Sequence, residues 1–207
     1  MLKILGKPTS INVRKVLWLC EELALPCELE TWGAGFRSPD TAEFRALNPN
    51  ALVPVLVDGD AVLWESNTIC RYLAGRHGRT DLLPAAPLAR ARIEQWMDWQ
   101  AGELNNAWRY AFMSLVRQSP AHQDAQAVAA SAASWNRHME ILERQLEKAG
   151  DHVAGPAFTL ADVGLGLSVN RWMMTPIERP ALPRVQAYYD RLATRPGFRL
   201  HGRNGSP

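Results

Sequence analysis

Val53-Pro54-Val55-Leu56-Val57-Asp58-Gly59-Asp60-Ala61-Val62-Leu63-Trp64-Glu65-Ser66-Asn67 is the stretch on which the fold turns. Two apolar runs flank Asp58-Gly59-Asp60, which is the turn chemistry of a hairpin. Glu65-Ser66-Asn67 then opens a helix with Ile69, Tyr72 and Leu73 on one buried side. Pro54 stands inside an apolar strand, where it removes a ladder donor, so it belongs at a sheet edge or beside a ligand. The Val53-Pro54 bond is a candidate cis peptide that would turn the Val53 N–H and C=O outward, free to pair with an extended peptide. An edge strand with a trans proline is the alternative, and trans is much the commoner isomer.

Upstream, strand and helix signals alternate at short intervals. Leu2-Lys3-Ile4-Leu5 reads as a strand ending at Gly6, and the loop Lys7-Pro8-Thr9-Ser10-Ile11-Asn12 opens a helix. Val13, Val16, Leu17, Cys20 and Ala24 give that helix one apolar face, and Leu25-Pro26 stops it. Cys27, Leu29 and Thr31 alternate with Glu28 and Glu30 as a second strand. Ser38-Pro39-Asp40 is a helix-start signal, Phe44 and Leu47 anchor the short helix, and Asn48-Pro49-Asn50 ends it. The order β-α-β-α-β-β-α predicts a small α/β sheet with helices packed on it.

Downstream, Gly78 to Pro87 carries linker composition, and every later pattern is helical. Leu88 to about Val116 reads as one long helix, with Ile93, Trp96, Met97, Gln100 and Leu104 along one side. Val128, Ala132, Trp135, Met139, Leu142 and Leu146 mark a second, which Gly150 ends. Thr159-Leu160-Ala161-Asp162 has capping-box form, and the helix it opens, through about Trp172, is apolar nearly all round, as a buried central helix would be. Pro183 suits the first turn of a last helix, with Val185, Tyr188 and Leu192 inward. From His201 to Pro207 a polar tail is expected to be mobile. The predicted organisation is an α/β domain over 1–78, a linker over 79–87 and an all-helical domain over 88–200.

The bulk numbers exclude several functions. Hydrophobic residues make up 47% and charged residues 21% of 207, an ordinary globular composition. A net charge of +2, with scattered Lys and Arg, argues against a nucleic-acid surface. No run of 18 apolar residues predicts a membrane span, and Pro8 interrupts any signal-peptide core, so the expected location is the cytoplasm. Cys20, Cys27 and Cys70 form no CxxC, lie among apolar neighbours and suit a reducing compartment as buried free thiols. His122, His138 and His201 read as surface residues, and no metal-ligand spacing appears.

Two further features carry chemistry. Glu65-Ser66 lies where free N–H groups and the positive end of a helix dipole converge, so Ser66 suits a carboxylate and Glu65 an ammonium. Ordinary N-capping by Ser66 is the alternative. Thr9-Ser10-Ile11-Asn12 places hydroxyls at another helix start, where one can donate to a thiolate. Lowering a thiol pKa from about 8.5 to the mid-sixes corresponds to roughly 2.7 kcal/mol of preference for the anion. Capping by Ser10 or Asn12 is again the alternative.

Ser10-Ile11-Asn12-Val13-Arg14-Lys15-Val16-Leu17, Asn48-Pro49, Val53-Pro54-Val55-Leu56, Glu65-Ser66 and Phe158-Thr159-Leu160-Ala161-Asp162 occur in one order across nearly the whole chain. In that order the sequence resembles the cytosolic glutathione transferases, with their thioredoxin-like N-terminal domain and all-α helical bundle, and within them the bacterial, serine-using, theta-like and phi-like members. The resemblance implies that Val53-Pro54 is cis, that Val53 binds the cysteinyl backbone of glutathione, and that Glu65 and Ser66 hold its γ-glutamyl end. It implies Ser10 as the thiolate-activating hydroxyl, with Thr9 and Asn12 as alternatives. Thr159 and Asp162 match a folding element of the family. The loop contains neither the tyrosine of the tyrosine-activated classes nor the cysteine of the mixed-disulfide classes.

The implied activity is conjugation of glutathione, as co-substrate and with no metal or organic cofactor, to a small, largely apolar electrophile. A glutathione-dependent disulfide reductase and a non-catalytic binding module are the alternatives. The implied second-substrate pocket lies between the domains, lined by Trp108, Arg109, Tyr110, Phe112 and Met113, with Phe36 or Arg37 closing it; core packing is the alternative role for this aromatic stripe. A homodimer is also implied.

Overall fold

The computed structural model, which describes all 207 residues, has four strands and nine helices, and its first seven elements follow the expected order. Strand β1 (Leu2–Gly6) pairs in parallel with β2 (Cys27–Thr31) and antiparallel with β3 (Val55–Asp58). β3 pairs antiparallel with β4 (Ala61–Trp64), giving the sheet order β2-β1-β3-β4. Asp58 sits opposite Ala61, so Gly59 and Asp60 alone make the turn, and Gly59 takes φ +61°, which costs glycine nothing. β3 begins two residues later than the apolar run does. It is an interior strand, which needs its N–H groups, so Pro54 stands just before it with the Val53–Pro54 bond cis.

Helices α1 (Ile11–Glu22), α2 (Ala42–Leu47) and α3 (Ser66–Arg76) pack on this sheet. The cap of α2 is Thr41, whose Oγ1 accepts from Phe44 N at 3.2 Å, so the helix starts after the Ser38-Pro39-Asp40 signal. The expected single helix from Leu88 is two, α4 (Pro87–Trp99) and α5 (Asn105–Leu115), joined by a π-helical turn over Gln100–Leu104. Beyond them lie α6 (Ala125–Ala149), α7 (Leu160–Met174), α8 (Pro183–Leu192) and α9 (Pro196–His201).

α7 is the axis of the helical part, buried from Leu160 to Trp172. A Cβ on Gly166 would lie 2.6 Å from Leu192 Cδ1 and 3.0 Å from Trp18 Cη2, so only glycine lets α1 and α8 approach this closely. Asp162, fully buried, accepts hydrogen bonds from Thr159 N (2.8 Å), Thr159 Oγ1 (3.0 Å), Val153 N (3.1 Å) and Tyr188 OH (3.0 Å). Four donors on one carboxylate fix the entry to α7. One apolar cluster of 39 buried residues runs through both halves and includes Leu82 and Leu83 of the expected linker.

The C-terminal residues depart from expectation. Far from forming a mobile tail, the chain makes α9, whose Phe198 ring stacks 4.8 Å from Trp18, and then docks. Arg14, buried in α1, donates to main-chain oxygens of His201, Gly202 (2.8 Å), Ser206 (3.1 Å) and Pro207 (3.0 Å), while Asn170 Nδ2 donates to Ser206 O at 2.8 Å. A buried guanidinium needs acceptors, and the tail supplies them. His201 is half-buried beside Glu21, and its burial holds the imidazole below its usual pKa. His122 and His138 are half-buried too, hydrogen-bonded to Ser119 Oγ and Ser134 O.

Candidate active site

Two cavities meet at Val53. The larger, of about 550 Å³, opens between the loop before α1 and helices α5 and α7; Ser10, Val53, Trp108, Arg109, Phe112 and Met113 line it. The smaller, of about 40 Å³, lies against the start of α3 and is lined by Asn12, Val53, Pro54, Glu65 and Ser66 together with the loop at Asn48 and Leu52. Val53 thus stands between Ser10, in the larger cavity, and Glu65 and Ser66, in the smaller.

The local backbone explains why these groups are free to act. Ser10 occupies the N-cap position of α1 with extended backbone (φ −76°, ψ 126°), yet its side chain makes no cap hydrogen bond. Its hydroxyl is therefore available at a helix N-terminus, where the dipole favours an anion. Asn12 lies inside the helix and is not its cap; it faces the smaller cavity. Thr9 lines neither cavity. It borders a separate space of about 380 Å³ with Ser206 and Pro207, and its Oγ1 is buried without a hydrogen-bond partner. The structure thus sends the three candidate side chains of one loop in three directions.

At α3 the N-cap residue is Glu65, not Ser66, and it holds φ +71°, a left-handed conformation rare for a residue with a side chain. No side chain caps the helix, so its first N–H groups remain for a ligand, with the buried Ser66 hydroxyl beside them. Asn48 pins the neighbouring loop by donating from Nδ2 to Leu52 O (2.7 Å) and accepting from Asn50 N (3.1 Å).

Two of the aromatic residues expected in the larger pocket are elsewhere. Phe36 is 48% exposed in the turn that bridges Trp32 and Arg37. Tyr110 packs edge-on to His122 at 4.9 Å, and its OH accepts from Asp124 N at 3.3 Å. Tyr110 lies about 200° round the helix from Trp108, outside the arc from which Trp108, Arg109, Phe112 and Met113 face the cavity. Arg37 does not close the cavity either: it lies 4.0 Å over the Trp32 ring and pairs with Glu30 and Glu43.

Sequence reasoning missed Lys7, Arg117, His122 and Arg171, which also line the larger cavity. Arg171 carried a signal: an arginine in a helix apolar nearly all round. It is 3% exposed, with its guanidinium 4.0 Å from the Phe112 ring centroid and 4.5 Å from that of Trp108. Burial, with repulsion from Arg14 and Arg117, pulls its pKa down to about 9.

A second buried cation ties the walls together. Lys15 Nζ donates to Gln100 Oε1 at 2.7 Å and to Asn67 Oδ1 at 3.3 Å. Gln100 Nε2 donates to Asn105 Oδ1 and Ser168 Oγ, both at 3.0 Å, and Asn105 Oδ1 also accepts from Trp108 Nε1 at 3.1 Å. The chain of bonds runs from beside Ser66 to the wall of the larger cavity. Desolvation by burial lowers the Lys15 pKa to about 8.

No cysteine lines either cavity. Cys27 is half-buried, not buried as expected, and the neighbouring Cys20 thiol holds its pKa below the usual thiol value. It belongs to β2 and stands apart from the site. No group of three or more His, Cys, Asp or Glu is placed to hold a metal ion.

This arrangement, a mixed four-stranded sheet presenting a peptide-sized cleft to a helical bundle, matches known proteins along its whole length. Residues 5–81 match the family described as "Glutathione S-transferase, N-terminal domain", and residues 125–191 match "Glutathione S-transferase, C-terminal domain". Glutathione S-transferase GstB of Escherichia coli (strain K12) is 37% identical over 96% of this chain and 96% of its own length. Glutathione S-transferase 3 of Zea mays is 36% identical, covering 95% of this chain and 91% of its own. The glutathione-bound structure of the theta class enzyme from Xanthomonas axonopodis pv. citri superposes with a TM-score of 0.87 at 39% identity, over 96% of this chain and 95% of that one. The chain belongs to the glutathione S-transferase family, and its two parts are the thioredoxin-like and helical domains of that fold.

Proposed function

We propose that this protein conjugates the thiolate of glutathione to a small electrophile, with Val53 binding the cysteinyl backbone, Glu65 and Ser66 the γ-glutamyl end, and Ser10 donating to the sulfur. The observation that supports this reading is the sharing of Val53 by both cavities, with Ser10 lining the larger and Glu65 and Ser66 the smaller. The electrophile rests against Trp108, Phe112 and Met113 in the larger cavity, within reach of the sulfur. Catalysis is thiolate stabilisation and positioning. Conjugation consumes the reactive centre, which is a detoxifying role. The absence of cysteine from both cavities favours conjugation over exchange through a protein mixed disulfide.

The test is calorimetric titration with glutathione and with Cys-Gly, which lacks the γ-glutamyl end. Glutathione binds more tightly; equal affinities would contradict the placement at Glu65–Ser66. Assay of an aromatic halide beside a mixed disulfide separates conjugation from disulfide reduction and from binding alone.

The same reading assigns residues 1–78 to the glutathione-binding domain and 88–200 to the helical domain, in the cytoplasm, where three free thiols persist. It also makes the protein a homodimer. Val62 and Trp64 on the edge strand β4, 38% and 39% exposed, and Leu88 on α4, 66% exposed, are apolar surface that a partner would cover. Light scattering gives twice the chain mass of 23.1 kDa; the single-chain value would remove the dimer.

A further inference from the structure

Four cations line the larger cavity, and no aspartate or glutamate does. They come from three places: Lys7 from the loop before α1, Arg109 and Arg117 from α5 and the turn after it, and Arg171 from α7. None of the four forms an ion pair within the chain. Elsewhere arginines do find carboxylates: Arg37, Arg45, Arg71, Arg76, Arg191 and Arg195 all pair.

Arg171 is the decisive member. Buried charges are ordinarily paired or hydrogen-bonded, because desolvation costs more than packing returns. Arg14, the other buried arginine, follows that rule by donating to four main-chain oxygens. Arg171 does not. Its Nε is buried with no hydrogen-bond partner, and its nearest companions are the faces of Phe112 and Trp108. The rings offset part of the cost and hold the planar guanidinium at the cavity wall. Repulsion from Arg14 and Arg117, with no carboxylate to oppose it, adds to burial in lowering its pKa. A guanidinium held rigid, desolvated and unspent is half of a fork-to-carboxylate contact.

We propose that the second substrate is an electrophile bearing a carboxylate or equivalent anion, seated by Arg171 with Arg109 and Arg117 while its apolar body rests on Trp108 and Phe112. This rests on the glutathione-conjugating reading above and narrows its substrate class. With a halogenated aromatic acid the step balances simply. The thiolate sulfur bonds to the ring carbon that carries the halogen, the carbon–halogen electron pair leaves with halide, and the thiol proton goes to solvent.

The glycyl carboxylate of glutathione is the competing anion. The test therefore uses the two conjugates that differ only at the distal group, S-(4-carboxy-2-nitrophenyl)glutathione and S-(4-carbamoyl-2-nitrophenyl)glutathione, with glutathione as reference. Titration calorimetry on the full chain gives the carboxylate form an affinity about tenfold or more above the amide. Arg171→Met, a change of similar bulk without charge, brings the ratio close to one. The double variant Arg109→Ala/Arg117→Ala, at exposed positions, lowers the ratio and serves if Arg171→Met does not fold. Equal binding of the two conjugates by the wild type, while glutathione binds, overturns this inference alone. An unchanged ratio in both variants overturns it as well, and so does a loss in Arg171→Met that is as large for plain glutathione as for the carboxylate conjugate. Failure to bind glutathione at all overturns the conjugating reading and this inference together.

Discussion

The two walls of the active-site cleft are made of different material. Toward the thiol, the wall consists of element ends: Val53 beside the cis Pro54, Glu65 and Ser66 at the start of α3, and Ser10 at the start of α1. On the proposed reading, main-chain groups, the Ser10 and Ser66 hydroxyls and the Glu65 carboxylate do the binding there, positioned by backbone geometry. Opposite stands a wall of long side chains from helix interiors, with Trp108, Phe112 and Met113 on α5 and Arg171 on α7. The first wall suits one invariant ligand, since moving a main-chain N–H means refolding a turn. The second can be re-specified one side chain at a time, and here its chemistry is aromatic and cationic.

Lys15 is the seam between the walls, and the largest predicted effect lies there. Its folded pKa of about 8 is below the unfolded value near 10.4, so at pH 7 the fold carries a buried ammonium and above pH 10.4 neither state is protonated. Between those values the unfolded chain binds more protons, so this group's contribution to stability rises with pH and is lost as pH falls through 8. The shift corresponds to roughly 3 kcal/mol. Thiols and tyrosines titrate over the same range, so the measurement is a difference. Urea unfolding of wild type and Lys15→Met at pH 7 and pH 10.5 shows the wild type gaining on the variant by about that amount. A constant difference would mean that Gln100 and Asn67 keep the ammonium fully compensated.

A smaller effect sharpens the account of the second wall. Met113 lines the cavity and Phe36 does not, although both are apolar and both were expected to contact the electrophile. Met113→Ala raises KM for the electrophile by roughly fivefold, from about 1 kcal/mol of lost apolar contact. Phe36→Ala leaves KM within about twofold. Steady-state kinetics at saturating glutathione measure both, and a larger effect at Phe36 would put the pocket on the wrong side of the loop.

The difference between the walls also decides what the sequence revealed. Element ends carry short-range signals, so Val53-Pro54, Glu65-Ser66 and the Ser10 loop were legible as element ends, as were the order of elements along the first domain and the buried character of α7. Side-chain direction from a helix interior is not a short-range signal. The stripe Trp108 to Met113 gave the right helix and, in Tyr110, one residue on the wrong face. The π-helical turn at Gln100–Leu104 adds a fraction of a turn that leaves the apolar spacing of Ile93, Met97 and Leu104 almost undisturbed, so one helix was expected where two meet. Docking of Ser206 and Pro207 onto Arg14 joins residues more than 190 positions apart, and no local pattern encodes it. Arg171, a charge in an apolar helix, was overlooked, and its lack of a partner became visible only when every carboxylate had a position.

The claim that Ser10 commands the thiol is tested most directly by the ultraviolet absorbance of the thiolate against pH, with glutathione saturating the wild type, Ser10→Ala, Thr9→Ala and Asn12→Ala. Ser10 is the one of the three that lines the cleft beside Val53 with an uncommitted hydroxyl. Its removal costs one charge-assisted hydrogen bond, roughly 1.5–3 kcal/mol, and raises the thiol pKa by about one to two units. Thr9, in its separate cavity, and Asn12, facing the smaller one, shift the curve less. A larger shift in Thr9→Ala or Asn12→Ala than in Ser10→Ala would contradict the assignment.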